Sequence, residues 1–321
     1  MISLFLPVGS AVAQNGQMIR MDGSNTVYPL SEMLAEAFRE SHPSPKPGIV
    51  IGVSGTGGGF KKFCRGEIDI ANASRPILED EIKACAAAGI EFIELPVAFD
   101  ALTVAVSANN DFVGSLSLAD LKKLWSPDSS IRFWRDMRPD WPDKPIHFYG
   151  AGMESGTFDF FTEVVMGKAR SSRSDVTASD DYNMLLAGIA GDRMALGYVP
   201  YAYFLAHKKS LRAVPIGPDA AHAVMPSVAA ASDASYPLSR PLFIYVNAKA
   251  AARHDVRNFI VFFLHQAPLS IEKLGYMPLP EALYAYARER MQSRQTGSIY
   301  EGGHAASRPL NEMIKPRRMG S

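Results

Sequence analysis

The tripeptide Ser-Gly-Thr occurs twice, at residues 54–56 and 155–157, each time where a strand-like run gives way to an amphipathic helix. A third hydroxyl-rich turn, Gly23-Ser24-Asn25-Thr26, opens a helix that begins near Val27. This arrangement commits the chain to strand–turn–helix units. Ile49–Val53, Ile68–Ala73 and Ile146–Tyr149 are β-branched or apolar runs, and helical spacing of apolar residues follows or precedes each. Strands alternating with helices predict an α/β fold with a largely parallel sheet. Helix N-termini carry unpaired N–H groups and the positive end of the macrodipole, so each of the three turns is a potential anion site. Turns from far-apart segments suggest one oxyanion held between two lobes.

With 321 residues the chain is long enough for two lobes, each with a core. Ala101–Ser107 and Tyr236–Val246 read as strands crossing between them. The expected division is lobe I from 18–103 and 240–303, lobe II from 104–239, and a C-terminal tail from 304–321. Lys plus Arg number 33 and Asp plus Glu number 33, which argues against a nucleic-acid partner. An anion site here must therefore be built from local donors. No apolar run reaches the roughly 18 residues that span a bilayer, so no membrane insertion is expected.

Residues 1–13 read as the remnant of a signal peptide, with Ala11-Val12-Ala13 as a small-x-small cleavage site before Gln14. A buried N-terminal strand is the alternative. No cysteine follows that leader, so a lipid anchor is not expected. In an exported protein the two cysteines, Cys64 and Cys85, fit one disulfide; two buried thiols are the other possibility.

Rival chemistries fail on spacing. Lys61 lies between Phe60 and Lys62, where a P-loop needs Gly-Lys-Ser/Thr. The glycines from Gly52 to Gly59 do not form the dinucleotide pattern, and Gly52-Val53-Ser54-Gly55-Thr56 lacks the last glycine of a nucleophile elbow. The seven histidines are scattered, and no metal or cofactor is expected. The pattern is that of a binding protein rather than an enzyme. Arg75, held extended by the following Pro76, is the candidate guanidinium for an oxyanion. Its alternative role is a surface salt bridge. A nearby carboxylate, Glu154, Asp181 or Asp22, is a candidate acceptor for a ligand proton. Such an acceptor would select hydrogenphosphate against sulfate, which carries no proton near neutrality. The alternative roles of that carboxylate are to neutralise Arg75 or to cap a helix.

Four segments carry a resemblance to a known family: Asp22–Pro29, Ser54–Lys61, Ile70–Ile77 and Ser155–Glu163. With Ala195–Tyr203 and Tyr236–Leu242, they are similar to the periplasmic phosphate-binding proteins of ABC-type phosphate importers. The resemblance covers residues 19–303. It implies a type II periplasmic-binding-protein fold, with two α/β lobes, a cleft between them and two hinge strands. It implies ligand contacts at Thr26 and the Val27 backbone beside Asn25, at Thr56 and Gly57, at Ser74 and Arg75, and at Ser155, Gly156 and Thr157. One branch of the family has an arginine where this chain has Ala151, and an aspartate acceptor where it has Ser74-Arg75. The implied protein is a periplasmic, monomeric receptor for inorganic phosphate that docks transiently with a membrane permease. The alternatives are a receptor for sulfate or molybdate, or a phosphate sensor or adhesin.

Overall fold

A computed structural model describes residues 18–43, 46–153, 155–179, 181–300 and Leu310. The expected leader (1–13), Glu154 and all of the expected tail but Leu310 lie outside the described residues.

The first third of the chain alternates as the sequence predicts. Strand β1 (Ile19–Gly23) leads to helix α1 (Tyr28–Glu40), β2 (Ile49–Ile51) to α2 (Gly55–Cys64), and β3 (Ile70–Ala73) to α3 (Glu79–Ala87). Strands β1, β2 and β3 are mutually parallel in the order β2-β1-β3. The long strand β4 (Phe92–Ser107) then crosses the molecule. Beyond it come β5 (Leu116–Ser117), α4 (Leu118–Trp125), β6 (His147–Ala151), α5 (Gly156–Met166), β7 (Val176–Ser179) and α6 (Tyr182–Gly191). Next are β8 (Ala195–Pro200), α7 (Tyr201–His207), β9 (Leu211–Ala213), β10 (Ile216–Gly217) and α8 (Val228–Ser232). The chain returns along β11 (Ser239–Asn247) and ends its described part with α9 (His254–Ser270) and α10 (Glu281–Gln292).

The main sheet runs β2-β1-β3-β11-β4-β8-β6-β7, with β9 also on β4. It is mixed rather than largely parallel, because β11 is antiparallel to both β3 and β4, and β4 is antiparallel to β8 and β9. The sequence suggests two short strands, Phe92–Leu95 and Ala101–Ser107, where the structure has one. Pro96 pairs with Phe243 and Ala98 with Leu242, so Val97 is an extra residue in the ladder. A proline at a bulge is tolerated inside a sheet because no ladder N–H is required there.

The packed core changes hands along β4. One buried cluster takes residues from Ile19 to Ala101 and again from Ala231 to Leu310, whereas Leu102 begins a second cluster that extends to Leu238. Two aromatic groups seat the helices that matter for the cleft. Phe60 of α2 meets Tyr245 of β11 edge-on at 4.8 Å, and Phe161 of α5 stacks on Tyr198 of β8 at 3.7 Å with Trp125 edge-on to both. Gly59 lies so close to β1 that a Cβ would meet Gly23 Cα at 2.6 Å, so only glycine lets α2 approach this near. No helix among the described residues is long and apolar enough to cross a membrane.

Cys64, at the end of α2, is disulfide-bonded to Cys85 in α3 across 21 residues of sequence. Closing a loop of that length stabilises the fold by about 3 kcal/mol through the unfolded state. The Cys64→Ala/Cys85→Ala double variant should lose about that much in urea unfolding. A loss under about 1 kcal/mol would show that packing of α2 on α3 carries the contact alone.

Candidate functional site

The N-termini of α1, α2 and α5 meet at one cleft of about 980 Å³. Its lining includes Ser24–Thr26 before α1, Ser54–Thr56 at the start of α2, Ser74–Pro76 after β3, and Gly156 at the start of α5. All three helices begin at the carboxyl end of a strand or the turn that follows it, the usual ligand position in open α/β sheets.

The turns are tied to one another by their hydroxyls. Ser74 N–H donates to Thr56 Oγ1 at 3.2 Å, and the two hydroxyls are 3.1 Å apart. Thr26 N–H donates to Ser24 Oγ at 3.2 Å. On the opposite wall Ser155 caps α5 by accepting from Thr157 N–H at 3.1 Å, and the Tyr182 hydroxyl donates to Thr157 Oγ1 at 2.8 Å. Burial raises the Tyr182 pKa, so this phenol stays a donor. Val27 is fully buried beneath the first turn, and a Cβ on Gly57 would stand 3.8 Å from Arg75 Nη2. Asn25 is exposed at the cleft edge. The walls are close: a Cβ on Gly156 would stand 3.0 Å from Thr26 Oγ1.

Two of the three candidate acceptors are engaged outside this lining. Asp22 Oδ1 accepts from both Ser54 N–H and Ser54 Oγ, at 2.9 and 2.7 Å, while Oδ2 is bonded to Lys62. Burial alone would raise the Asp22 pKa, but the bonds from Lys62 and Ser54 outweigh it and hold the carboxyl below its ordinary value. Asp181 is exposed and caps α6, accepting from Asn183 N–H at 2.9 Å. The carboxylates in the lining are instead Asp159 and Glu163 of α5.

Arg75 lines the cleft, but its fork faces a protein partner. Nη1 and Nη2 each donate to a Glu81 oxygen at 2.8 Å, and Nη1 also donates to Pro76 O at 3.0 Å. The arginine that sequence reasoning missed is Arg240 of β11, which lines the cleft, donates to Thr26 Oγ1 at 3.2 Å and is paired with Asp100. Its signal was there: Ser-Arg-Pro occurs at 74–76 and again at 239–241. Tyr276, whose hydroxyl donates to Thr26 O, was missed as well and has no comparable local pattern. Among the described residues that line the cleft, the two cations, Arg75 and Arg240, thus each have a carboxylate partner.

Residues 8–266 match the family model described as the PBP superfamily domain. The chain belongs to the PBP superfamily. Among its relatives in that superfamily, the protein named SphX from Synechococcus elongatus is 42% identical over 316 residues, covering 98% of this chain and 92% of SphX. A protein named phosphate-binding protein PstS from Staphylococcus haemolyticus is 38% identical, with 82% of this chain and 81% of that protein aligned. A crystal structure described as a possible phosphate binding protein from Planctomyces limnophilus superposes with a TM-score of 0.81 at 42% identity, covering 87% of this chain and 99% of that one. The mixed α/β architecture and curled sheet are those of this superfamily.

Two outcomes test the geometry. Gly156→Ala pushes a methyl against Thr26, so oxyanion affinity measured by calorimetry should fall on the order of tenfold; an unchanged affinity would mean the walls are free to separate. Asp22→Asn should cost about 2 kcal/mol of stability near neutrality. Because the native Asp22 pKa is depressed, its contribution is full above the ordinary value of about 4 and is lost as pH falls through the lower native value. The difference between wild type and variant should vanish on that acid limb; a gap that persists there would show that the charge is not what Lys62 and Ser54 recognise.

Proposed function

We propose that this protein is an extracytoplasmic solute receptor that binds inorganic phosphate in the cleft and delivers it to an ABC permease. The observation that carries the reading is the meeting of three helix N-termini at one cleft, lined by Ser24, Thr26, Ser54, Thr56 and Ser74 on one wall and by Gly156, flanked in sequence by Ser155 and Thr157, on the other. The names of its relatives support phosphate as the anion. In this reading Asn25, Thr26 and the Val27 backbone, Thr56 and Gly57, Ser74, and Ser155, Gly156 and Thr157 form the donor set, while the Arg75 fork is turned to Glu81. The lobes are residues 18–103 with 240–303, and 104–239, and they close on the ligand as a monomer. Export through the 1–13 leader puts the receptor outside the cytoplasmic membrane, where it docks transiently on the permease.

Hydrogen bonds suffice for the affinity. A micromolar complex needs about 8 kcal/mol, and charge-assisted bonds contribute roughly 1.5–3 kcal/mol each. The surplus from eight or so donors offsets desolvation of the dianion and closure of the lobes. A receptor of this kind performs no bond-breaking step, in keeping with a superfamily of binding proteins.

Selection between tetrahedral anions requires an acceptor, since donors alone suit sulfate and phosphate equally. The lining residues Asp159 and Glu163 are the carboxylates we assign to that task, with Glu154, adjacent in sequence to Ser155, as a further candidate. Calorimetric titration of the stripped protein with phosphate and then sulfate, at pH 6 and pH 8, tests the reading. Phosphate should bind at least about 100-fold more tightly than sulfate at both pH values. Equal affinities would point to a general oxyanion receptor, and no binding of either would remove the proposal.

A further inference from the structure

Building on the oxyanion reading of the cleft, we propose that Arg240 is the guanidinium that grips the anion, and that Asp100 is the residue that positions it. Arg240 and Asp100 are directly opposite on the antiparallel strands β11 and β4. Arg240 Nε and Nη2 each donate to Asp100 Oδ2 at 3.2 Å, and Nη2 also donates to Thr26 Oγ1 at 3.2 Å. The guanidinium carbon lies 4.0 Å from the centre of the Phe160 ring of α5. Nη1 is 3.9 Å from Glu163 Oε2 and makes no hydrogen bond among the described residues. One edge of the fork is therefore fixed and the other is open, at a residue that lines the cleft.

The contrast with Arg75 decides between the two arginines. Arg75 spends both Nη atoms on Glu81, whereas Arg240 keeps Nη1 for a ligand. The Asp100 side chain is only 5% exposed, and a carboxylate so buried is tolerated because a cation stays against it. Arg240 consequently cannot swing into solvent without stranding that charge. A donor held in place before the ligand arrives loses little freedom on binding, which favours affinity. The same side chain touches the α1 turn through Thr26 and α5 through Phe160, so it reads both walls at once.

The test is calorimetric titration of the full chain with inorganic phosphate. Arg240→Lys keeps a charge but not the fork, and the double variant Arg240→Met/Asp100→Asn removes the pair without leaving a buried charge. Both should weaken phosphate binding about 100-fold or more. The double variant should unfold within about 5 °C of wild type, which separates lost contact from lost fold. Arg75→Met should lose less than either. Asp100→Ala should approach the loss seen in Arg240→Lys, while Asp100→Asn, which can still accept from Arg240, should recover most of the affinity. A folded double variant that binds phosphate within about threefold of wild type would overturn the inference. So would a larger loss from Arg75→Met, or equal losses for the two Asp100 variants. A wild-type chain that binds no phosphate removes the underlying reading instead, and shows itself before any variant is compared.

Discussion

The pairing of β4 with β11 is the constraint on which the cleft depends. These two strands lie side by side in the middle of the sheet, with β3 on one side and β8 on the other. The first core cluster holds β4 up to Ala101 and the second takes over at Leu102. The ladder therefore belongs to both halves and fixes the distance between the helices each half contributes. Its one irregularity, the bulge at Val97 beside Pro96, lies three residues before Asp100. An added residue flips every later side chain to the other face. Without it, the alternation that brings Asp100 alongside Arg240 would be out of phase with the β1–β3 half of the sheet.

The donors are held by packing rather than by their own turns. Of the three helices that begin at the cleft, α5 alone has a side-chain cap at its start; Val27 and Ser54 offer none to α1 and α2. Helix α2 is instead positioned by Phe60 against Tyr245, by the glycine contact with β1 and by Ser54 bound to Asp22. Helix α5 is positioned by Phe161 on Tyr198. Leaving the first N–H groups of a helix uncapped is costly unless something else accepts from them. At α1 part of that demand is met by Ser24 O, which accepts from Tyr28 N–H at 3.0 Å.

Much of this was readable in the chain. The three helix starts follow from Gly-Ser-Asn-Thr and the two Ser-Gly-Thr turns, and the alternation of strand and helix up to α3 follows from periodicity. Those signals are local. The direction of β11 was not legible, because antiparallel pairing with both β3 and β4 is decided by the path of the returning chain. Pro96 split β4 into two apparent strands for the same reason: whether a proline ends a strand or sits in a bulge depends on the partner. The arginine illustrates the limit best. Arg75 and Arg240 share the same tripeptide, and only the carboxylates they meet, Glu81 six residues away and Asp100 140 residues away, distinguish a closed fork from an open one.

The pairing of the arginines that line the cleft has a consequence for how the protein meets its ligand. Lys62, Arg75 and Arg240 each face a carboxylate, and the chain as a whole is neutral. Long-range attraction of anions by these cations is then weak, so capture depends little on dissolved salt. Recognition acts only at contact, through dipoles and a guanidinium already in place. A scavenger built this way collects its anion equally well from dilute and from briny surroundings.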